Sequence, residues 1–242
     1  MALTGTDRGT GTHQTSASSF TLNPGSNFTA GALAVLCIAA DNSSTGGSTN
    51  NISSVTDSLG NLWRARQLPI FDNGSASAGV QGGIFTTDQS AGTLQTGTTV
   101  TVSFGAATVA KTWTLMEVTA AAGSQALVLT GANAAGSSTP TVTTGTIEVG
   151  DMVIAMVAME AGTTQTLTSD ADTTNGTWSA AQYNEIGSSS SGSAIGSQRK
   201  VQTTTASTQT FNPTLGLPCD LICSWISVRE IAPKKLALAG VG

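Results

Sequence analysis

Two stretches of the chain place an acid, a turn and a tryptophan in the same order. The first is DSLGNLWRARQ at 57–67, and the second is DTTNGTWSAAQ at 172–182. A single stretch of this kind is a candidate ligand site, whereas a repeated one is typical of a turn that two copies of one fold both need. We therefore interpret Asp57 and Asp172 as capping residues, whose carboxylates accept hydrogen bonds from nearby backbone N–H groups.

The same two stretches separate scaffold residues from candidate contact residues. Asn61 or Gly176 is expected to adopt the unusual backbone angle of the turn. The bulky aromatic residues of the two copies are expected to fill the core, because a small sandwich needs such fillers. These residues are Trp63, Trp113, Trp178 and Trp225.

Three other side chains are candidates for contact with a partner. Arg64 and Arg66 are replaced by Ser179 and Ala181 in the second stretch, so the repetition does not explain them. Tyr183 follows that second stretch and is the best aromatic candidate for an exposed contact, such as sugar stacking.

Catalytic groups are sparse in this chain. The one histidine, His13, lies in a polar N-terminal segment, so a Ser-His-Asp or Cys-His site has no obvious base. Paired carboxylates could still act on a glycan, but no spacing selects a pair. We therefore expect no enzymatic activity. The candidate acids are Asp57, Asp72, Asp88, Glu117, Glu160, Asp170, Asp172 and Glu185.

Metal and cofactor motifs are equally weak. The segment DADTTNG at 170–176 begins like a calcium loop, but the closing glutamate of such a loop is replaced by Ala181. Cys219 and Cys223 have no nearby histidine to complete a zinc site, and Cys37 lies in an apolar run typical of a buried thiol. No phosphate-binding glycine motif is present. We predict neither a metal nor a cofactor.

Composition limits the partners. The net charge is −5 and the few basic residues are scattered, which argues against nucleic acid. Only 10% of the residues are charged, so little repulsion keeps copies apart and self-assembly is expected. The longest apolar run, at 31–40, is too short to cross a bilayer, and the N-terminus lacks the apolar region of a signal peptide. We expect a cytoplasmically made protein without a membrane partner.

A self-comparison of the chain predicts a tandem duplication. Five blocks recur in the same order, at an offset that is 119 for the first block and 112 for the last. The domains expected are 1–122, with an N-terminal arm, and 123–242, with a C-terminal tail. The two terminal segments are either free tails or arms that order on a neighbouring subunit. The blocks begin at 31 and 150, 57 and 172, 83 and 199, 99 and 208, and 113 and 225.

Each copy is expected to consist of strands. Short runs rich in Val, Ile, Thr and Trp are bounded by Gly, Asn, Ser and Pro, as in sandwiches and barrels. Residues 99–104 alternate between threonine or serine and large apolar side chains, as in a half-buried strand. The runs at 33–40 and 152–159 do not alternate, so they are predicted to be strands covered on both faces. We predict an all-β fold of two tandem β-sandwiches, jelly-roll-like or immunoglobulin-like.

The layout of each copy resembles the small β-sandwich modules of tailed-bacteriophage virion proteins. The residues that carry this resemblance are 31–41, 57–67, 99–104 and 113–120, with 150–160, 172–182, 200–211 and 225–232 in the second copy. The resemblance implies a virion structural protein assembled in the host cytoplasm, most specifically a capsid decoration (cement) protein. Its partners would be the major capsid protein or other virion proteins. The chain itself is expected to form a homo-oligomer, for which a trimer is one candidate. The alternatives are a glycan-binding tail-fibre protein and a carboxylate-dependent glycan hydrolase.

Overall fold

The computed structural model of the chain is built from antiparallel β-strands, and the all-β class predicted from the sequence is confirmed. It describes residues 3–41, 49–71, 79–87, 92–121, 125–136, 139–161, 163–188 and 191–231. In chain order the strands are β1 (Thr4–His13), β2 (Ala17–Leu22), β3 (Leu33–Asp41), β4 (Ile52–Asp57), β5 (Trp63–Gln67), β6 (Ile70–Phe71), β7 (Val80–Thr87), β8 (Val100–Thr108), β9 (Lys111–Thr119), β10 (Gln125–Gly136), β11 (Val142–Thr143), β12 (Met152–Met159), β13 (Leu167–Thr168), β14 (Gln182–Ile186), β15 (Ser193–Val201), β16 (Thr210–Phe211), β17 (Thr214–Leu215) and β18 (Leu221–Ile231).

Two large antiparallel sheets form the centre of the fold. The first has the order β1-β9-β3-β7-β5, with β6 also paired to β7, and the second has the order β10-β18-β12-β15-β14. The first sheet uses strands from the N-terminal half of the chain, and the second uses strands from the C-terminal half. When β1 is matched with β10, each of the five strands finds its counterpart at the same place in the other sheet. A duplication would produce this shared order, and the duplication itself remains a prediction.

Smaller sheets cover the outer face of each large sheet. The sheet β2-β8-β4 covers the first, and the two-stranded sheets β11-β16 and β13-β17 cover the second. In β8 the side chains of Val100, Val102 and Phe104 are buried while the threonine and serine between them are half-exposed. Each half is therefore a β-sandwich of one large and one smaller layer.

The inner faces of the two large sheets pack against each other. Val35 and Cys37 of β3 share one apolar cluster with Ile154 and Met156 of β12. Every residue of both strands is buried, because each strand has a sheet on its inner side and a smaller sheet on its outer side. This double burial explains why the two runs are apolar throughout instead of alternating.

The stacking of the two large sheets has the pattern of a two-fold arrangement. Strand β1 packs against β14, β9 against β15, β3 against β12, β7 against β18 and β5 against β10. Because β14 is the counterpart of β5 and β10 is the counterpart of β1, the contact β1–β14 is equivalent to the contact β5–β10, and β9–β15 is likewise equivalent to β7–β18. Contacts that occur in such equivalent pairs are how an isologous interface is organised. The two halves thus bury one another within a single chain.

Close approach and polar contacts lock this interface. A side chain at Gly82 of β7 would place its Cβ 2.8 Å from the Met156 methyl group and 3.0 Å from a methyl group of Ile222, so these side chains of the second half would have to shift. At the β9–β15 crossing, the Thr112 and Ser193 hydroxyls are 3.0 Å apart, and those of Thr114 and Ser197 are 2.7 Å apart. These buried hydroxyls satisfy one another across the two halves, which fixes the register of the sheets.

The N-terminal segment is part of the first sheet. Residues 4–13 form the edge strand β1, which pairs with β9 along its whole length. The interpretation of this segment as a free tail or arm is therefore wrong. Its sequence lacks large apolar side chains and none of its residues is buried, so it is held by backbone pairing that leaves no apolar pattern. The C-terminal tail from 232 onward lies outside the described residues.

No helix in the described part of the chain is long and apolar enough to cross a membrane.

Candidate functional site

The carboxylate of Asp57 organises the first of the two repeated turns. Its Oδ1 accepts hydrogen bonds from the backbone N–H groups of Leu59 (2.9 Å) and Asn61 (3.1 Å). Its Oδ2 accepts from the Asn61 amide (2.8 Å) and from the Trp63 indole (2.7 Å). The left-handed backbone angle falls on Gly60 instead of Asn61, with φ of 74°. Asp57 is thus fully used in joining the turn to the buried tryptophan.

The second turn is built differently, although its sequence is similar. Asp172 Oδ1 accepts from the Thr174 N–H (3.0 Å), and its Oδ2 accepts from the ammonium of Lys200 (2.7 Å). The contact with Lys200 lowers the pKa of Asp172 to about 2. Left-handed angles occur at both Asn175 and Gly176. Here the acid neutralises a buried lysine that lies over the ring of Trp178.

The structure buries all four tryptophans. Trp63 and Trp113 belong to the apolar cluster of the first half, and Trp178 and Trp225 belong to that of the second. The indole nitrogen of Trp63 reaches Asp57, whereas those of Trp178 and Trp225 are buried with no hydrogen-bond partner in the described residues. The tryptophans therefore fill the two sandwiches and present no aromatic surface to a ligand.

The other candidate acids also bind groups of the fold. Glu117 is buried and accepts from the Thr29 N–H (2.8 Å) and from the guanidinium of Arg8. Asp170 accepts from the backbone N–H groups of Asp172 and Asn212, both at 2.8 Å. These carboxylates are therefore used by the fold, and the calcium loop suggested at 170–176 has its two acids directed to internal donors. Asp72 and Asp88 lie outside the described residues.

The residues expected to contact a partner lie in two places. Arg64 is exposed on β5, and the Arg66 Nε donates to the Thr86 hydroxyl (2.7 Å). Tyr183 lies on β14, where the single proton of its half-buried hydroxyl is shared between the Gln165 carbonyl (2.9 Å) and the Glu185 carboxylate. Its phenol is therefore engaged within the second half. The two arginines and the tyrosine are on different halves, so they form no common site.

The histidine and the cysteines form no catalytic arrangement in the described residues. His13 is half-exposed at the end of β1, and its ring packs at 5.9 Å from that of Phe20. Cys37 and Cys223 are fully buried, and burial raises the pKa of each thiol to about 12. Cys219 accepts a hydrogen bond from the Gln165 amide (3.4 Å). These thiols act as small apolar fillers.

Three carboxyl groups meet where the two halves join, and we call them the carboxyl cluster: Asp41, Glu160 and Asp220. Asp41 ends β3, Glu160 follows β12, and Asp220 precedes β18. Glu160 accepts from the backbone N–H of Gly79 in the first half and shares a side-chain hydrogen bond with Asp220. Asp41 is 3% exposed, and its Oδ1 has no hydrogen-bond partner in the described residues.

Two members of this cluster, Glu160 and Asp41, hold their protons more tightly than isolated acids do. Burial raises the pKa of Glu160 to about 7, and the nearby charges of Asp220 and Asp41 contribute. Burial also raises the pKa of Asp41 to about 6. A hydrogen bond between two carboxyl groups requires one proton, so the cluster is stable when partly protonated. Sequence reasoning included Glu160 but missed Asp41 and Asp220, because only the fold brings them together.

A buried lysine is the other unusual ionisable group. The ammonium of Lys111 is fully buried at the start of β9 and donates to the backbone carbonyls of Thr15 (2.8 Å), Val109 (3.3 Å) and Thr108. Burial lowers its pKa to about 8. Its nitrogen also lies 5.9 Å from the centre of the Phe104 ring. Lys111 thus fastens the loop between β8 and β9 to the segment that links β1 to β2.

Two cavities that are lined by described residues bear on a possible ligand site. The smaller, of about 20 Å³, has room for one water and is lined by the buried Asn61 and its neighbours. The larger is an open groove of about 310 Å³ between the two halves, lined by Leu3, Met152, Arg199 and Val201 among others. Arg199 forms a salt bridge to Asp7 at this groove. The carboxyl cluster lines neither cavity.

In the described residues no group of three or more histidine, cysteine, aspartate or glutamate side chains is arranged to hold a metal ion. Comparison with protein-family models, with curated proteins and with solved structures finds no match.

Proposed function

We propose that the chain is a non-enzymatic structural protein of a bacteriophage particle, most specifically a capsid decoration protein. One observation carries the proposal: the described carboxylates that the sequence offers as catalytic candidates each accept a hydrogen bond from a group of the fold. Asp57, Asp172 and Glu117 illustrate this, since each carboxylate accepts two or more internal hydrogen bonds. A molecule whose reactive groups maintain its own structure is suited to a mechanical role.

The build of the molecule supports the same proposal. The two sandwiches bury their large sheets against each other, which gives a rigid block instead of two modules on a flexible linker. The low charge leaves a surface hydrated mainly by serine, threonine and asparagine, with little repulsion between neighbouring copies. The resemblance of each half to virion β-sandwich modules is the reason why a particle is proposed as the setting for these properties.

The proposed mechanism is mechanical. Each subunit would lie across a joint between capsid proteins and bury surface that must be exposed again before the shell opens. An interface of standard size, about 1,600 Å², would be enough for firm attachment. The local symmetry of a capsid surface is the ground for expecting a trimer, and this expectation uses none of the described residues.

Deletion of the gene tests this proposal. Particles that lack the protein are expected to form but to release their DNA at a lower temperature or after milder chelator and osmotic treatment. Adding back the purified chain should restore the wild-type release temperature, and a variant unable to bind the particles should not. Equal release temperatures with and without the protein would contradict a decoration role.

The alternatives are less well supported by the described residues. A glycan-binding tail-fibre protein would present exposed aromatic rings, whereas the Tyr183 hydroxyl is bound internally. A glycan hydrolase would place two carboxyl groups in an open cleft, whereas Glu160 and Asp220 bond to each other and line neither described cavity. Binding to a glycan array that Tyr183→Ala abolishes would favour the first alternative. Turnover that Glu160→Gln abolishes would favour the second.

A further inference from the structure

The smaller of the two cavities, of about 20 Å³, lies beside the first repeated turn. It is lined by Asn61 of the turn, Ala34 of β3, Thr87 at the end of β7, and residues of the segments 28–32 and 92–94. A buried water needs about 10 to 15 Å³ of such space and two to four polar partners. The volume therefore admits one water, and the polar groups around it decide whether a water is held there.

The side chain of Asn61 leaves one buried oxygen for this cavity. Asn61 is 7% exposed, and its amide nitrogen donates to Asp57 Oδ2 (2.8 Å) and to the Gly92 carbonyl (3.0 Å). Both partners are acceptors, so turning the amide round would set oxygen against oxygen. The remaining amide atom, Oδ1, is buried and has no hydrogen-bond partner among the described residues. This oxygen therefore requires a donor.

The hydroxyl of Thr87 has the opposite requirement. Thr87 is 5% exposed, and its hydroxyl oxygen accepts a hydrogen bond from the backbone N–H of Ala34 (3.0 Å). A hydroxyl also carries a proton to donate, and the described part of the chain supplies no acceptor for the proton of Thr87. Asn61 thus needs a donor and Thr87 needs an acceptor. A water molecule meets both needs, whereas a metal cation would leave the hydroxyl proton unbonded.

We propose that this cavity binds one water molecule, which donates to Asn61 Oδ1 and accepts from the Thr87 hydroxyl. The water completes a chain of hydrogen bonds that runs from the Ala34 N–H of β3 through Thr87 to Asn61, and from there to Asp57. The turn is thereby attached to the large sheet by a polar link as well as by the buried ring of Trp63. This inference does not depend on the virion role.

The second repeated turn is not built to hold such a water. The repeated sequence places Gly176 where the first turn has Asn61, so the side-chain oxygen is missing. A Cβ at Gly176 would lie 2.1 Å from the Val201 carbonyl oxygen, and the φ of 127° also favours glycine. An asparagine therefore does not fit there. The proposed water belongs to the first half alone, which agrees with the different hydrogen bonds of the two turns.

A high-resolution crystal structure of the unmodified chain tests the proposal without any variant having to fold. One water is expected in the cavity, at about 2.8 Å from both Asn61 Oδ1 and Thr87 Oγ1. An empty cavity would overturn the proposal, and so would a water that contacts only one of these two atoms. A density peak surrounded by oxygen atoms alone, as around a bound cation, would also overturn it.

Oxygen-17 relaxation dispersion gives a second readout in solution, because it detects long-lived waters and is not affected by hydrogen exchange. Thr87→Val removes the hydroxyl at nearly constant shape and is expected to lose the signal of one such water. Thr87→Ser keeps the hydroxyl and should retain that signal. Thr101→Val is the matched control, since Thr101 is half-exposed on β8 and does not line the cavity. Equal signals from the wild type and Thr87→Val, or an equal loss in both valine variants, would overturn the proposal.

Discussion

The carboxyl cluster makes the stability of this protein depend on pH in a direction opposite to that of most carboxylates. The pKa of Glu160 is raised from 4.5 to about 7, and that of Asp41 from 3.8 to about 6. Between the ordinary pKa and the raised pKa of each group, the folded chain holds a proton that the unfolded chain has released. The free energy of unfolding therefore falls as the pH rises from about 4 to about 7, and it is highest on the acid side of this range.

The size of the effect follows from the shift. A shift of this size at Glu160 corresponds to roughly 3 kcal/mol at about 1.4 kcal/mol per unit of pKa. Since Glu160 is partly exposed, solvent screening reduces the expected effect to about 2 kcal/mol. Asp41 adds to this, but less than its own shift would give, because the two groups influence each other.

Glu160→Gln is the perturbation that isolates this effect. The glutamine keeps an oxygen for the Gly79 N–H and can donate to Asp220, but it has no proton to lose. Urea unfolding followed by tryptophan fluorescence should show that the variant loses about 2 kcal/mol less than the wild type between about pH 4.5 and 7.5. Asp41→Asn should act in the same direction.

Glu148→Gln is the control. Glu148 is exposed and lies outside the cluster, and its substitution removes the same charge. The variant should retain the wild-type pH dependence. The reasoning would be refuted if Glu160→Gln also retained that dependence, or if the wild-type chain became more stable as the pH rose from about 4.5 to 7.5.

Three further predictions concern the fold. Lys111→Met should lower the free energy of unfolding by roughly 2 kcal/mol, because the carbonyls that its ammonium binds lose their donor; chemical denaturation at neutral pH measures this, and an unchanged midpoint would contradict the assigned role. Asp57→Ala should cost about 2 to 3 kcal/mol and alter the fluorescence of Trp63, whereas a loss below about 0.5 kcal/mol would show that the turn does not need its cap. Residues 1–122 and 123–242 expressed separately should aggregate or self-associate through their uncovered inner sheets, and should copurify when coexpressed; two soluble monomers would disprove the shared interface.

The strands of this fold are accessible from sequence where burial leaves a pattern. The alternation at 99–104 predicts β8, and the unbroken apolar runs at 33–40 and 152–159 predict β3 and β12 almost to the residue. The strand β1 escaped prediction, because a Gly/Thr-rich edge strand is held by backbone hydrogen bonds and has no buried side chains. Periodicity detects burial and not pairing.

The packing of the two halves and the carboxyl cluster could not be derived from the sequence. A run covered on both faces indicates two neighbouring layers without naming them, so β3 gave no sign that its inner neighbour would be β12. Asp41, Glu160 and Asp220 come from separate strand ends that meet only when the sheets stack. The repeated turns also show the limit of local similarity, since Asp57 binds Trp63 whereas Asp172 binds Lys200.

The measurement that tests the proposed function most directly is quantitative mass spectrometry of purified bacteriophage particles produced from a genome that carries this gene. A decoration protein should be present in a copy number close to that of the major capsid protein, and it should stay with the heads when heads and tails are separated. A handful of copies per particle, recovery with the tails, or absence from the particles would contradict the proposal.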